Sequence, residues 1–177
     1  MPSPKPLPRG RPLEVTIETA LTPPVVAQAL RQAMRHWTTG VTIVTARPEG
    51  HAPIGLVCNS FTSVSLDPPL VSWCVDRAST SFGAWMCADS FSVHILAEED
   101  AALVPRFATR GADKFAGLAP DLTHLGTPAL DAGVARLDCR VWKTYDGGDH
   151  AIVVGRVERI EERDGARPLD LRALRGV

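Results

Sequence analysis

Residues 54–81 read IGLVCNSFTSVSLDPPLVSWCVDRASTS. Two apolar, strand-like runs flank a polar insert made of Asn59, Ser60, Phe61, Thr62 and Ser63. The pair Pro68-Pro69 breaks the chain between strands, because proline cannot donate to a ladder. A second hydroxyl cluster, Ser79-Thr80-Ser81, follows the last strand where a short helix is expected over 79–88. Small polar side chains on a strand edge leave the backbone open to a flat ligand. They also supply hydrogen bonds without bulk. The same residues equally make a hydroxyl-rich exposed strand face.

The remainder supplies more strands than helices. The stretch 41–46 (VTIVTA) is β-branched and reads as a strand, as do 53–66 (one long strand or two), 70–75 and 91–96. Residues 136–162 read as a β-hairpin whose turn is Asp146-Gly147-Gly148-Asp149. On its first arm Leu137, Cys139 and Val141 occupy one face, and Asp138, Arg140 and Lys143 the other. A helix is expected to start at Thr22-Pro23-Pro24, pack Val26, Leu30, Ala33 and Trp37 on a core, and end at Gly40. A second helical stretch, 97–108, contains Pro105, so a kink or two short helices are expected. Residues 110–131 read as loop. With no strand–helix alternation and no G-x-G-x-x-G, a Rossmann domain is disfavoured. The pattern is mostly β: an antiparallel barrel, closed or nearly so, with peripheral short helices.

The chain of 177 residues is long enough for one domain with its own core. Residues 1–22 are proline-rich and read as a disordered or extended tail, leaving 23–177 as the folded part. Charge is balanced, with 19 Lys+Arg against 20 Asp+Glu and no basic stripe, which disfavours nucleic acid. No apolar run reaches the ~18 residues of a membrane span, and the N-terminus lacks the apolar segment of a secretory signal. A cytoplasmic protein is the expectation. Cys58, Cys74, Cys87 and Cys139 form no C-x-x-C pair and read as buried, reduced thiols. No histidine pair has metal-ligand spacing and no serine sits in G-x-S-x-G, so metal and hydrolase chemistry are disfavoured. His94 lies within a strand and reads as a packing residue.

Three further groups suggest chemistry. Asp76-Arg77-Ala78-Ser79-Thr80-Ser81 combines a helix start, a cation and hydroxyls, which suits a phosphate; the same residues also make a plain N-cap. His150, just past the Gly-Gly turn, stands at a barrel rim, as a ligand contact or proton donor or as an incidental surface residue. Phe107, Arg110, Asp113, Lys114 and Phe115 form a basic, aromatic loop able to close over a ligand or simply to be solvated.

Five segments in order carry a resemblance: ALRQAMRHWTTGVTIVTA, GLVCNSFTSVSLDPPLVSWCVDRASTSF, FSVHILAEED, RFATRGADKFAG and YDGGDHAIVVGRV. Over about residues 29–160 they resemble the flavin reductase-like family, short-chain NAD(P)H:flavin oxidoreductases that include the reductase components of two-component flavin monooxygenases. The resemblance implies a split β-barrel (an FMN-binding, Greek-key antiparallel barrel) and a homodimer. It implies FMN or FAD as flavin, NADH or NADPH as hydride donor, and a flavin-dependent monooxygenase as partner. By matched segment, Val57, Cys58, Asn59, Ser60, Phe61 and Thr62 would line the isoalloxazine, and Ser65, Asp67 and Pro68 would continue that wall. Arg77, Ser79, Thr80 and Ser81 would hold the ribityl phosphate, with Phe107, Lys114 and Phe115 near the flavin. His150 would contact the nicotinamide and serve as the catalytic side chain, first by positioning. Two alternatives share the barrel: an FMN-dependent oxidase, and a non-enzymatic flavin- or haem-binding module. The chain departs from the family after Pro168-Leu169, where an aromatic, a histidine and glycines are common, and at Pro105.

Overall fold

The computed structural model describes residues 23–111 and 113–175, and the chain divides into two units, 1–37 and 38–177. The expected tail and the Thr22 cap lie outside the described residues. In the first unit, α1 (Pro23–Met34) ends at Met34 rather than at Gly40. Arg35, His36 and Trp37 donate backbone bonds three residues back, to Gln32, Ala33 and Met34, tightening the chain out of the α-helix. Among the described residues of this unit nothing covers Leu30, Met34 and Trp37, which are 60%, 52% and 66% exposed. The helical period was correct, but a period shows which side chains share a face, not what covers it.

In the second unit the strands are β1 (Thr42–Ala46), β2 (Ile54–Cys58), β3 (Thr62–Leu66) and β4 (Pro69–Asp76). Then come α2 (Phe82–Met86), β5 (Ser90–Ile95) and a 3-10 turn at Glu98–Asp100. They are followed by α3 (Leu103–Ala108), β6 (Asp121–Leu122), β7 (Pro128–Ala129), β8 (Ala135–Gly147), β9 (His150–Glu162) and α4 (Leu171–Arg175). The stretch 97–108 does split in two. Pro105 is tolerated because it is the third residue of α3, where the N–H has no intrahelical acceptor. The small β6–β7 pair and α4 had no local signal strong enough to be expected.

Seven strands form one antiparallel sheet in the order β2-β1-β5-β8-β9-β4-β3. Flat, six spacings of about 4.8 Å would part its edges by roughly 29 Å. Yet β2 and β3, the two edges, are joined by only residues 59–61. Four residue steps from Cys58 to Thr62 span at most about 14 Å. The sheet must therefore curl until its edges meet at this link. No ladder joins β2 to β3 among the described residues, so the barrel is split there. Ser60 pins the seam: its hydroxyl accepts from the Cys74 backbone N–H on β4 at 2.9 Å and lies 3.1 Å from Cys58 Sγ on β2.

Every residue of β1 is buried, and the strand separates two cores. Val44 and Ala46 face Trp73, Trp85, Phe91, Val93 and Val153. Ile43 on the opposite side joins Val41, Leu96, Phe107, Leu130 and Leu169. The first core closes around edge-on aromatics, with Trp73 4.9 Å from Trp85 and 5.7 Å from Phe91 by ring centroids. Leu169 serves the second core. Leu169 N–H donates to Leu96 and its carbonyl accepts from Val41, so this segment bridges the residues at the end of the β1–β5 ladder. Among the cysteines, Cys87 is exposed, against expectation, because the five-residue α2 ends just before it. Burial pushes the Cys139 thiol up to about 12.

Gly155 in β9 permits the closest approach in the first core. A methyl group there would overlap Phe91 Cζ and sit 3.1 Å from Cys139 Cβ. The Phe91 ring is 1% exposed and held against Trp73, so it has nowhere to turn. Gly155→Ala is expected to cost about 1–3 kcal/mol of stability. A denaturant titration should show a lower midpoint at unchanged slope; an unchanged midpoint would mean the barrel interior yields.

Candidate functional site

A cleft of about 440 Å³ opens beside the seam, within the range of small-molecule sites. The end of β2 and the link that follows supply Leu56, Val57, Cys58, Asn59 and Ser60. Strand β4 supplies Cys74 and Asp76, the turn after it Ser79 and Thr80, the α3 region Phe107, Ala108, Arg110 and Lys114, and the start of β9 His150. Strand alternation explains the β4 pair: Val71, Trp73 and Val75 point into the core, which turns Cys74 and Asp76 outward.

Nine of the residues expected from sequence meet in this cleft: Val57, Cys58, Asn59, Ser60, Ser79, Thr80, Phe107, Lys114 and His150. The others do not line it. Phe61 packs against the first core. Thr62 and Ser65 lie along β3, and Asp67 and Pro68 form its exposed turn to β4. Ser81 precedes α2, which begins at Phe82 and is shorter than the helix expected over 79–88. Phe115 stacks edge-on against Phe107 at 5.4 Å, as part of the second core. Arg77 turns to the hairpin instead. Its Nε donates to the Gly148 carbonyl at 3.0 Å and its Nη2 to Asp146 Oδ1 at 2.7 Å. Leu56, Cys74, Asp76, Ala108 and Arg110 line the cleft in addition. Of these, the sequence offers Arg110 in the basic loop and Asp76 at the head of the Asp76–Ser81 group; for Cys74 the signal was the β4 alternation.

Two cations reach the cleft. Arg110 is 70% exposed and only loosely paired, 3.7 Å from Asp76 Oδ2. Lys114 is half-buried and donates to the Gly55 carbonyl at 2.8 Å and the Phe107 carbonyl at 2.7 Å. Burial lowers its pKa. These two bonds tie the loop after α3 to β2 and to the C-terminal end of α3. The loop thereby forms one wall of the cleft.

His150 pairs with Asp76 on β4 and with Gly147 on β8. Its Nδ1 lies 2.7 Å from Asp149 Oδ1. A carboxylate at this distance accepts, so Nδ1 carries a proton, and in the neutral form of the ring Nε2 is then an acceptor. The turn between Gly147 and His150 has two residues, and Gly148 adopts φ +77° at the first of them. That is the type II′ pattern, which favours glycine at this point and matches the sheet's twist.

The lining suits a flavin by its chemistry. Leu56 and Val57 offer an apolar wall backed by the buried Phe107, Asn59 and Ser60 an amide and a hydroxyl at one edge, Arg110 positive charge for a phosphate, and Lys114 a second cation. The described residues contain no helix long and apolar enough to cross a membrane.

Comparison with known proteins agrees. Residues 34–173 match the model of the flavin reductase like domain. The chain is 43% identical over 140 residues to the FMN reductase (NADH) SmoA of Agrobacterium fabrum, covering 78% of this chain and 79% of that protein. It is 38% identical over 157 residues to the flavin-dependent monooxygenase reductase subunit HsaB of Rhodococcus jostii, covering 88% and 80%. Among solved structures, the NADH:FAD oxidoreductase SgcE6 of Streptomyces globisporus, in complex with NAD and FAD fragments, superposes with a TM-score of 0.76 at 32% identity. That match covers 85% of this chain and 91% of SgcE6. By its strand order, its cleft and these matches, the chain belongs to the flavin reductase-like family.

Proposed function

We propose that this protein passes hydride from NADH or NADPH to FMN or FAD and supplies the reduced flavin to a monooxygenase. The observation that carries the reading is the cleft in which an apolar wall, an amide–hydroxyl edge, two cations and His150 converge. When bound, the flavin supplies the two-electron chemistry. The chain's own residues bind and orient. Leu56 and Val57, backed by the buried Phe107, provide the surface for the ring, and Asn59 and Ser60 provide hydrogen bonds along its polar edge. Ser79 and Thr80 hydroxyls with Arg110 suit the phosphate. The Lys114 ammonium, fixed by two carbonyls, adds positive potential where the ring gains negative charge on reduction. His150 offers Nε2 as acceptor to a carboxamide N–H, which positions a nicotinamide without a proton transfer. No acid–base pair is needed for hydride transfer.

Named reductase components among the relatives support a monooxygenase as consumer of the product. A second copy of this chain fits the exposed apolar residues of β3, where Leu66 is 93% and Val64 53% exposed.

The test is oxidation of NADH and of NADPH with FMN, FAD and riboflavin in turn, followed at the nicotinamide absorbance. Turnover that requires added flavin, by a protein sedimenting as a dimer, is the expected result. An oxidase would leave reduced nicotinamide untouched, and that outcome would overturn the reading.

A further inference from the structure

We propose that Arg77 is a positioning residue: it braces the hairpin turn that carries His150, and it does not hold the ligand's phosphate. The role given to His150 rests on the function proposed above; the brace itself does not.

Arg77 directly follows Asp76, whose ladder partner is His150. Its backbone N–H donates to the Asp149 carbonyl at 3.0 Å, extending the β4–β9 ladder by one bond into the turn. Its side chain adds two more. Nε donates to the Gly148 carbonyl at 3.0 Å, and Nη2 to Asp146 Oδ1 at 2.7 Å. The guanidinium lies 5.6 Å from the centre of the Phe82 ring, at the start of α2. One residue thus joins the carbonyls or carboxylate of Asp146, Gly148 and Asp149 to a point some 70 residues earlier. Asp146 responds, its carboxyl held below the usual range by the bond from Arg77.

The turn has reason to need bracing. Gly147 and Gly148 are adjacent, and glycine loses more freedom on ordering than any other residue. The Gly147–His150 pair is the last rung of the ladder, where hairpins fray. Asp149 then passes order on, since its carboxylate fixes the His150 ring at Nδ1. Anything that loosens Asp149 therefore loosens the imidazole at the cleft.

The phosphate role is disfavoured on the same geometry. Arg77 does not line the cleft, whereas Arg110 does. An anion seeking the Arg77 guanidinium would have to displace another anion, Asp146, from a 2.7 Å contact. Arg110 holds its partner at 3.7 Å.

The experiment compares Arg77→Gln, Asp146→Asn and the double variant with the wild type. Asp146 is 79% exposed, so its variant should fold even where the arginine variant does not. Three quantities are read: KM for reduced nicotinamide, Kd for FMN by fluorescence quenching, and amide hydrogen exchange of residues 147–150. Each single variant should raise the nicotinamide KM on the order of tenfold, as loss of a charged hydrogen bond does. The double variant should be no worse than Arg77→Gln alone, because that change already removes the Asp146 contact along with the bond to Gly148. FMN affinity should stay within about twofold, and the turn amides should exchange faster. Weakened FMN binding in Arg77→Gln with wild-type behaviour in Asp146→Asn would make Arg77 the phosphate ligand and overturn the proposal. Exchange at 147–150 needs neither flavin nor turnover. If it is unchanged in both single variants there is no brace, even where the wild type is an active reductase. If it rises while the wild type shows no nicotinamide oxidation, the brace stands and the enzymatic reading falls.

Discussion

Replacing Phe107 by alanine is expected to lower stability by about 3–5 kcal/mol, and to open the wall of the cleft as it does so. The ring is fully buried among Val41, Ile43, Leu96, Leu130 and Leu169, with Phe115 packed edge-on against it. It also abuts Gly55, where an added methyl would sit 2.6 Å from Phe107 Cε1. That contact predicts a reversal of sign. Gly55→Ala in the wild type should cost about 1–3 kcal/mol by overpacking. In the Phe107→Ala background the same methyl group enters the vacated space and should be neutral or stabilising. Denaturant titration of the four proteins measures both terms. An equal cost for Gly55→Ala in both backgrounds would show that the two residues do not share the space. The expected loss of flavin affinity in Phe107→Ala, read by the same quenching titration, ties the core to the site, because this residue belongs to both.

The second large effect is acid sensitivity at His94. The ring is fully buried on β5, away from the cleft. Leu130 N–H donates to its Nε2 at 3.0 Å, so Nδ1 must carry the proton and donates to the Ile43 carbonyl at 3.3 Å. The neutral ring satisfies both neighbours, and a second proton would leave a backbone N–H facing an N–H. Burial pushes the pKa from 6.5 down to about 4; the bond to Ile43 and Asp138 act upward, and Arg136 acts downward. The unfolded chain thus takes up a proton near pH 6.5 that the native ring refuses until about pH 4. Stability is fully present above pH 6.5, falls as pH drops from there to 4, and then levels. The full effect is roughly 3 kcal/mol. His94→Gln keeps one acceptor and one donor, and it should flatten the stability profile over that window relative to wild type. Parallel profiles for the two proteins would remove His94 as the source.

Much of this molecule could be read without coordinates because its signals are local. β-branched runs, the Gly-Gly turn and the position of Pro105 each constrain a few consecutive residues; the strands form close to where expected, and the turn sits one residue later, with Gly148 and Asp149 at its centre. The residues closing the cleft followed wherever their position depended on local order, as with Asn59 and Ser60 in the link or His150 after the turn. Asp138 shows the limit. Alternation assigned it to the polar face of β8, yet it is 1% exposed, with Ser92 donating to it at 2.8 Å and Arg136 at 3.1 Å. Arg136 is a same-face neighbour two residues back, but the Ser92 hydroxyl comes from β5, 46 positions away, and no local pattern announces it.

Strand identities, turn positions and the family itself were written in consecutive residues, since period and turn chemistry act over a few peptide units. Which edge strands meet, which serine pins them, and which arginine faces the cleft were decided only by the folded chain. Those outcomes depend on contacts between residues 14 to 71 positions apart. There, charge, distance and the competition of Asp146 for Arg77 set the partner, and none of these is a property of neighbouring residues.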